Sequence, residues 1–206
     1  MSTMNKFPIL QEIEKTPRRI SRRELARTLL AGIAAGSISP LFSAIHPVHR
    51  HLLNGSLLDS ADAHLSAGNS KPIFLSPQQF ASLDVLAEAI VPGSHNAQSA
   101  SFIDLLLSVD TKEAQKNFLA ALSALAAASQ KHFQTAIVSL NSTQLHDLLT
   151  ALSSSDSPEY QHFEQLKGWI VGAYYSSEIG MRELGWTPDR VFANFPDCSH
   201  PGGHSA

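Results

Sequence analysis

The sequence predicts an all-α fold, an irregular bundle of about five helices with a long C-terminal helix and an extended tail. Three observations carry that expectation. Apolar residues recur at steps of three and four from Phe80 to Ile90 and from Tyr160 to Tyr174, the period of a helix that buries one face. Helix starts are signalled at Ser76-Pro77-Gln78-Gln79, at Asp110-Thr111-Lys112-Glu113 and from Asn141 to Gln144. No convincing run of strands and no internal repeat interrupts these segments. At 206 residues the chain can build one domain with a real core, and is short for two.

The N-terminal part differs from the rest. Residues 1–27 hold seven Lys and Arg against three acidic residues, leaving eight against fifteen beyond them, a net of about −7. An acidic body argues against nucleic-acid binding, which needs basic surface to displace counterions. Ser21-Arg22-Arg23-Glu24-Leu25-Ala26-Arg27 is a twin-arginine pattern, and a moderately apolar stretch follows from Thr28 to Ile45. Residues 1–45 therefore read as an export leader addressed through Arg22 and Arg23 to the twin-arginine translocase. The blander reading is an amphipathic helix that merely contains adjacent arginines. No clean small-x-small pair marks cleavage near Phe42-Ser43-Ala44, and Ala61-Asp62-Ala63 lies far past the apolar run. A retained leader acting as an anchor stays open, although its glycines and Pro40 make a poor spanning helix.

Residues 46–75 shift to His, Ser, Asn, Gly and Asp with scattered leucines, the composition of a linker or flexible neck. His46, His49, His51 and His64 are expected to be solvated, since no cysteine or carboxylate spacing supports a metal site.

The folded body is expected over 76–206. Ser76 as N-cap, Pro77 at the first position and Gln79 at the third form a capping-box arrangement. Phe80, Leu83, Leu86, Ala87 and Ile90 then give an apolar face that stops at Pro92-Gly93. A shorter helix is expected from Ala100 to Leu107. The signal at Asp110–Glu113 opens a helix through Phe118, Leu122, Leu125 and Phe133, where alanines favour helix and permit close packing. A short helix with Leu145, Leu148, Leu149 and Leu152 follows Asn141. The loop from Ser153 to Ser157 leads into the long helix, with Ser157 as N-cap and Pro158 at its first position. Tyr160, Phe163, Leu166, Ile170 and Tyr174 form its apolar stripe. Gly168, Gly172, Ser176 and Gly180 form a second row of small residues, open to packing inside the bundle or on a partner. Gly185 followed by Pro188 is a stop signal.

The search for chemistry is short. No Gly-x-Gly-x-x-Gly, phosphate-binding loop or Gly-x-Ser-x-Gly elbow appears. A single cysteine excludes a Cys-x-x-Cys-His haem attachment. Glu159 and His162 make one Glu-x-x-His pair, the spacing used in di-iron bundles, which take two such pairs and two more glutamates. Capping and solvent exposure at a first helical turn explain it more simply. Cys198, His200 and His204 lie close in sequence; structural zinc wants four ligands, so the alternatives are a disulfide from Cys198 to a partner chain, a free thiol or a metal. Glu178 and Arg182 are spaced as an ordinary helical ion pair. Tyr174 reads as core, while Tyr175 and Trp186 are as well placed for a partner interface, where aromatics are enriched.

The stretch Tyr174-Tyr175-Ser176-Ser177-Glu178-Ile179-Gly180-Met181-Arg182-Glu183-Leu184-Gly185-Trp186-Thr187-Pro188-Asp189, with Phe195-Pro196-Asp197-Cys198-Ser199-His200 beyond it, resembles the C-terminal signature of the gluconate 2-dehydrogenase subunit 3 family. Leu86-Ala87-Glu88-Ala89-Ile90-Val91-Pro92-Gly93-Ser94 and Phe102-Ile103-Asp104-Leu105-Leu106 resemble it upstream. The resemblance implies a non-catalytic small (gamma) subunit of a periplasmic, membrane-associated sugar or sugar-acid dehydrogenase complex. It implies no cofactor in this chain, with FAD in a large dehydrogenase subunit and haem c in a cytochrome subunit. It also implies support of the large subunit's folding, export and stability. Tyr175, Glu178, Arg182, Trp186 and Cys198 are then the candidate partner interface. Two other readings stand beside it: a small helical metal-dependent redox enzyme using Glu159 and His162, and a stand-alone exported binding protein.

Overall fold

The computed structural model describes residues 47–48, 51, 54–66 and 71–185. All regular structure among the described residues is helical. The elements are α1 (Gly55–Ser66), α2 (Pro77–Ile90), α3 (Ser99–Val109), α4 (Lys112–Phe133), a 3-10 turn (Ile137–Ser139), α5 (Ser142–Leu152), α6 (Tyr160–Tyr175) and α7 (Glu178–Glu183). Among the described residues seven α-helices stand where about five were expected, because the neck supplies one and the long C-terminal helix divides into two.

Local chemistry sets most of the helix ends. Ser76 accepts from the Gln79 N–H and Gln79 returns a bond to the Ser76 N–H, with Pro77 opening α2. Asn141 and Gln144 make the same reciprocal pair at α5. Thr111 caps α4 by accepting from the Ala114 N–H. Each such cap satisfies donors that a helix leaves unpaired at its start. Gln134 ends α4 in the left-handed region, at φ 54°.

α6 packs mainly on α4 and α3, and α2 packs across α3. Their buried faces make one continuous core in which Leu83, Leu86, Phe102, Leu106, Phe118, Leu125, Leu166 and Ile170 are inaccessible to solvent. Trp169 fills its centre and meets the Phe118 ring edge-on at 5.7 Å. Edge-to-face rings gain about 0.5–1.5 kcal/mol beyond area burial.

Two expectations are corrected. The segment 46–75 contains α1, which packs on α3 and buries Leu57, Leu58 and Ala61 in the common core, together with Val48. Leu57 and Leu58, which looked scattered, lie one helical turn from Ala61. His51 is not solvated: its Nε2 lies 3.3 Å from Asp110 Oδ2, with 12% and 2% of the two side chains exposed, and its ring tilts over Trp169. His46 and His49 lie outside the described residues, as does the His64 side chain.

The second correction concerns the long helix. Ser157 does not cap it, because its hydroxyl accepts from the Glu159 N–H and donates to the Glu159 carboxylate, closing a turn. The helix begins at Tyr160 and stops at Tyr175. Ser176 donates back to the Gly172 carbonyl at 2.5 Å and Ser177 to the Tyr174 carbonyl at 2.6 Å. Hydroxyls that occupy helix carbonyls compete with the backbone ladder. Ser177 then turns extended and caps α7 by accepting from the Gly180 N–H.

Candidate functional site

The two stretches that carry the family resemblance meet in space. α2 ends at Ile90 and the chain turns through Pro92-Gly93, with Gly93 at φ 94°, a conformation that side chains other than glycine's rarely adopt. The Glu88 carboxylate holds this turn by accepting from the Gly93 N–H at 2.9 Å and the His95 N–H at 2.8 Å. The Tyr174 ring lies over Gly93, its hydroxyl only 3.2 Å from where a Cβ would stand. Glycine here therefore serves both the turn and the aromatic packed on it.

Electrostatics follow from this arrangement. The two backbone N–H bonds hold the Glu88 carboxyl below its ordinary range, with His95 assisting and partial desolvation opposing. Tyr174 is 3% exposed, and burial pushes its phenol above the ordinary tyrosine value. The negative charge of the nearby Glu183 carboxylate adds to that rise, as do Tyr175 and Glu88.

α7 is seated on the end of α6 with no room to spare. A Cβ on Gly180 would overlap the Tyr174 carbonyl, so only glycine lets the two helices cross there. Gly172 and Ser176 are buried as well, whereas a Cβ on Gly168 would meet nothing within 4 Å. The small-residue row is thus split: its C-terminal part packs inside the bundle and Gly168 does not.

Of the candidate interface residues, Tyr175 ends α6 and Glu178 and Arg182 lie on α7. Tyr175 is half-buried with its ring edge-on to Tyr174 at 5.1 Å. Arg182 donates to Glu178 Oε1 through Nη2 at 2.7 Å and Nε at 2.9 Å, an exposed pair that contributes a few tenths of a kcal/mol. Beside it Ile179 and Leu184 are 41% and 64% exposed. Neither was singled out from sequence, because a helix of six residues is too short to show which face is unpaired. Trp186 and Cys198, like Arg22 and Arg23, lie outside the described residues.

Another carboxylate passed unremarked in the sequence. Asp104, 2% exposed, accepts from the N–H groups of Ile73, Phe74 and Leu75 at 2.5, 3.1 and 2.7 Å. It ties the approach to α2 onto α3. A sole acidic residue within the apolar run Phe102-Ile103-Asp104-Leu105-Leu106 was the available signal, since a buried charge needs several donors.

An open groove of about 570 Å³ lies between α2 and α5, lined by Asp84, Val85, Glu88, Ala89, Pro92, His95, Ser142, Leu145, His146 and Leu149. His95 Nδ1 contacts Asp84 Oδ2 at 3.0 Å on its rim. Among the described residues, no three His, Cys, Asp or Glu side chains converge as metal ligands. Glu159 engages Ser157 at the start of α6. No described helix is long and apolar enough to cross a membrane.

Comparison with known proteins agrees with the motif geometry. The family model described as gluconate 2-dehydrogenase subunit 3 matches residues 77–190, from the first residue of α2 to just beyond α7. No curated protein and no solved structure matches the chain. The match takes in more than half of the 206 residues and both halves of the Glu88–Gly93–Tyr174 junction, and the chain belongs to the gluconate 2-dehydrogenase subunit 3 family.

Proposed function

We propose that this chain is the non-catalytic small subunit of a periplasmic, membrane-associated sugar or sugar-acid dehydrogenase complex. In this role it supports the folding, twin-arginine export and stability of a large FAD-containing subunit, and a cytochrome c subunit carries the electrons onward. The observation that carries the reading is family membership across 77–190, in a family described as one subunit of a dehydrogenase and therefore expected to have partners. Arg22-Arg23 at the head of an apolar stretch supports export. The acidic body leaves nucleic acid without a surface.

The docking surface is the outer face of α7. Ile179 and Leu184 expose apolar area on and just after α7, and the Glu178–Arg182 pair adds exposed charge on the same short helix, the mixture of apolar and polar surface found in subunit contacts. Flavin and haem belong to the partner chains in this reading. Cys198 is available on the tail for a disulfide to one of them, and a partner-dependent shift in non-reducing electrophoresis tests that bond.

The docking assignment has a direct test. In co-purification of the tagged small subunit with the large subunit, Ile179→Asp combined with Leu184→Asp is expected to abolish recovery of the flavoprotein while helix content is unchanged. Undiminished recovery would move the interface elsewhere.

A further inference from the structure

We propose that a single internal water molecule, held by the hydroxyls of Ser94 and Ser99, is a structural part of the connection between α2 and α3. The inference concerns the folded chain itself and does not depend on the escort role. Both serines are fully enclosed, at 0% exposure, and among the described residues neither Oγ has a hydrogen-bond partner. Serine differs from alanine only by that oxygen. Buried without a partner, it costs stability that alanine would not. Two such oxygens in one connection therefore point to a small polar ligand enclosed with them.

The backbone brings the two residues together. Between α2 and α3 the chain winds through successive turns: the Ser94 N–H donates to the Val91 carbonyl at 3.1 Å, the Ala97 N–H to Gly93 at 2.9 Å and the Gln98 N–H to His95 at 3.0 Å. The Ser99 N–H then closes on the Ser94 carbonyl at 2.9 Å, which sets the two serines next to each other. Ser99 is also the first residue of α3, a helix of 11 residues whose N-cap, Gln98, sits at φ 54° and makes no side-chain cap bond. A helix start leaves N–H groups without intrahelical partners, so the first turn of α3 adds donors at the same place.

The surroundings select water over an ion. A cation would face the positive end of α3 with two neutral hydroxyl oxygens for ligands, fewer than hard cations take. An anion would meet the Glu88 carboxylate, which already serves this connection by accepting from the Gly93 and His95 N–H groups. Water carries no net charge, both donates and accepts, and makes about three hydrogen bonds when buried. The two hydroxyls and an N–H of the first turn of α3 supply that number.

Two measurements on the full chain test this. In a crystal structure at high resolution, one ordered water is expected about 2.5–3.0 Å from both Oγ atoms. In thermal unfolding, Ser94→Ala and Ser99→Ala are each expected to lower the midpoint by roughly 2–4 °C. The double variant should lose less than the sum, because the two side chains share one ligand. The proposal is overturned if no ordered water touches both hydroxyls, or if they are found bonded to each other or to protein carbonyls. It is equally overturned if either alanine variant is as stable as the wild type or more so, the result expected of a hydroxyl with no ligand, or if the two losses simply add.

Discussion

Asp104 and Glu88 use the same device at two ends of α2: a carboxylate gathers backbone N–H groups from a segment that has no helix to pair them. Asp104 is buried and holds three. Asp104→Ala is expected to cost about 3 kcal/mol, since each orphaned buried donor carries a penalty of about 1–3 kcal/mol and such losses overlap; urea unfolding measures it. Glu88 is exposed, so its effect is read from pH. Its folded pKa is lowered from 4.5, so its contribution is complete above that value and disappears as pH falls through the depressed one. Stability of the wild type should therefore drop with acidification in that window, and Glu88→Gln should flatten part of the slope. Neither role was legible beforehand. The sequence displays both acids inside recognisable motifs, but which N–H groups they gather depends on segments that only the fold brings near.

Helix existence and helix starts were readable because they rest on local chemistry: Ser76, Thr111 and Asn141 cap where their side chains and spacing say they should. Two features at this scale were not. α1 sits in a stretch rich in Ser, Asn and Gly, and is held by tertiary burial of Leu58 and Ala61 against α3, which overrides composition. The division between α6 and α7 is also decided by neighbours. Periodicity runs through Ser176-Ser177 unbroken, yet both hydroxyls turn back onto helix carbonyls and Gly180 accepts the resulting crossing. Gly180→Ala would restore helical propensity at the cost of a collision with the Tyr174 carbonyl. The collision should dominate because it involves backbone, which moves less easily than a side-chain end. The expected result is a loss of about 1–3 kcal/mol in thermal or urea unfolding; a stabilised variant would show that the crossing is looser than described.

At the scale of the whole molecule, the fold class and the family motifs were evident from the sequence, and the structure adds what joins them. The turn after α2 and the end of α6 are separated by about eighty residues yet form one packed junction, with Tyr174 over Gly93 and Glu88 holding the turn. That junction presents α7 with Ile179 and Leu184 outward. A chain organised to hold one short helix at its surface is suited to binding another subunit, and the basic head with Arg22-Arg23 suits delivery of the pair across a membrane. The central claim is escort, and one measurement addresses it most directly: periplasmic flavin-dependent sugar oxidation after producing the large dehydrogenase subunit with this chain, without it, and with Arg22→Lys/Arg23→Lys. The account predicts that activity and periplasmic flavoprotein appear only with the intact chain and are lost in the other two cases. A large subunit that reaches the periplasm active by itself, or oxidation of substrate by this chain alone, would contradict it.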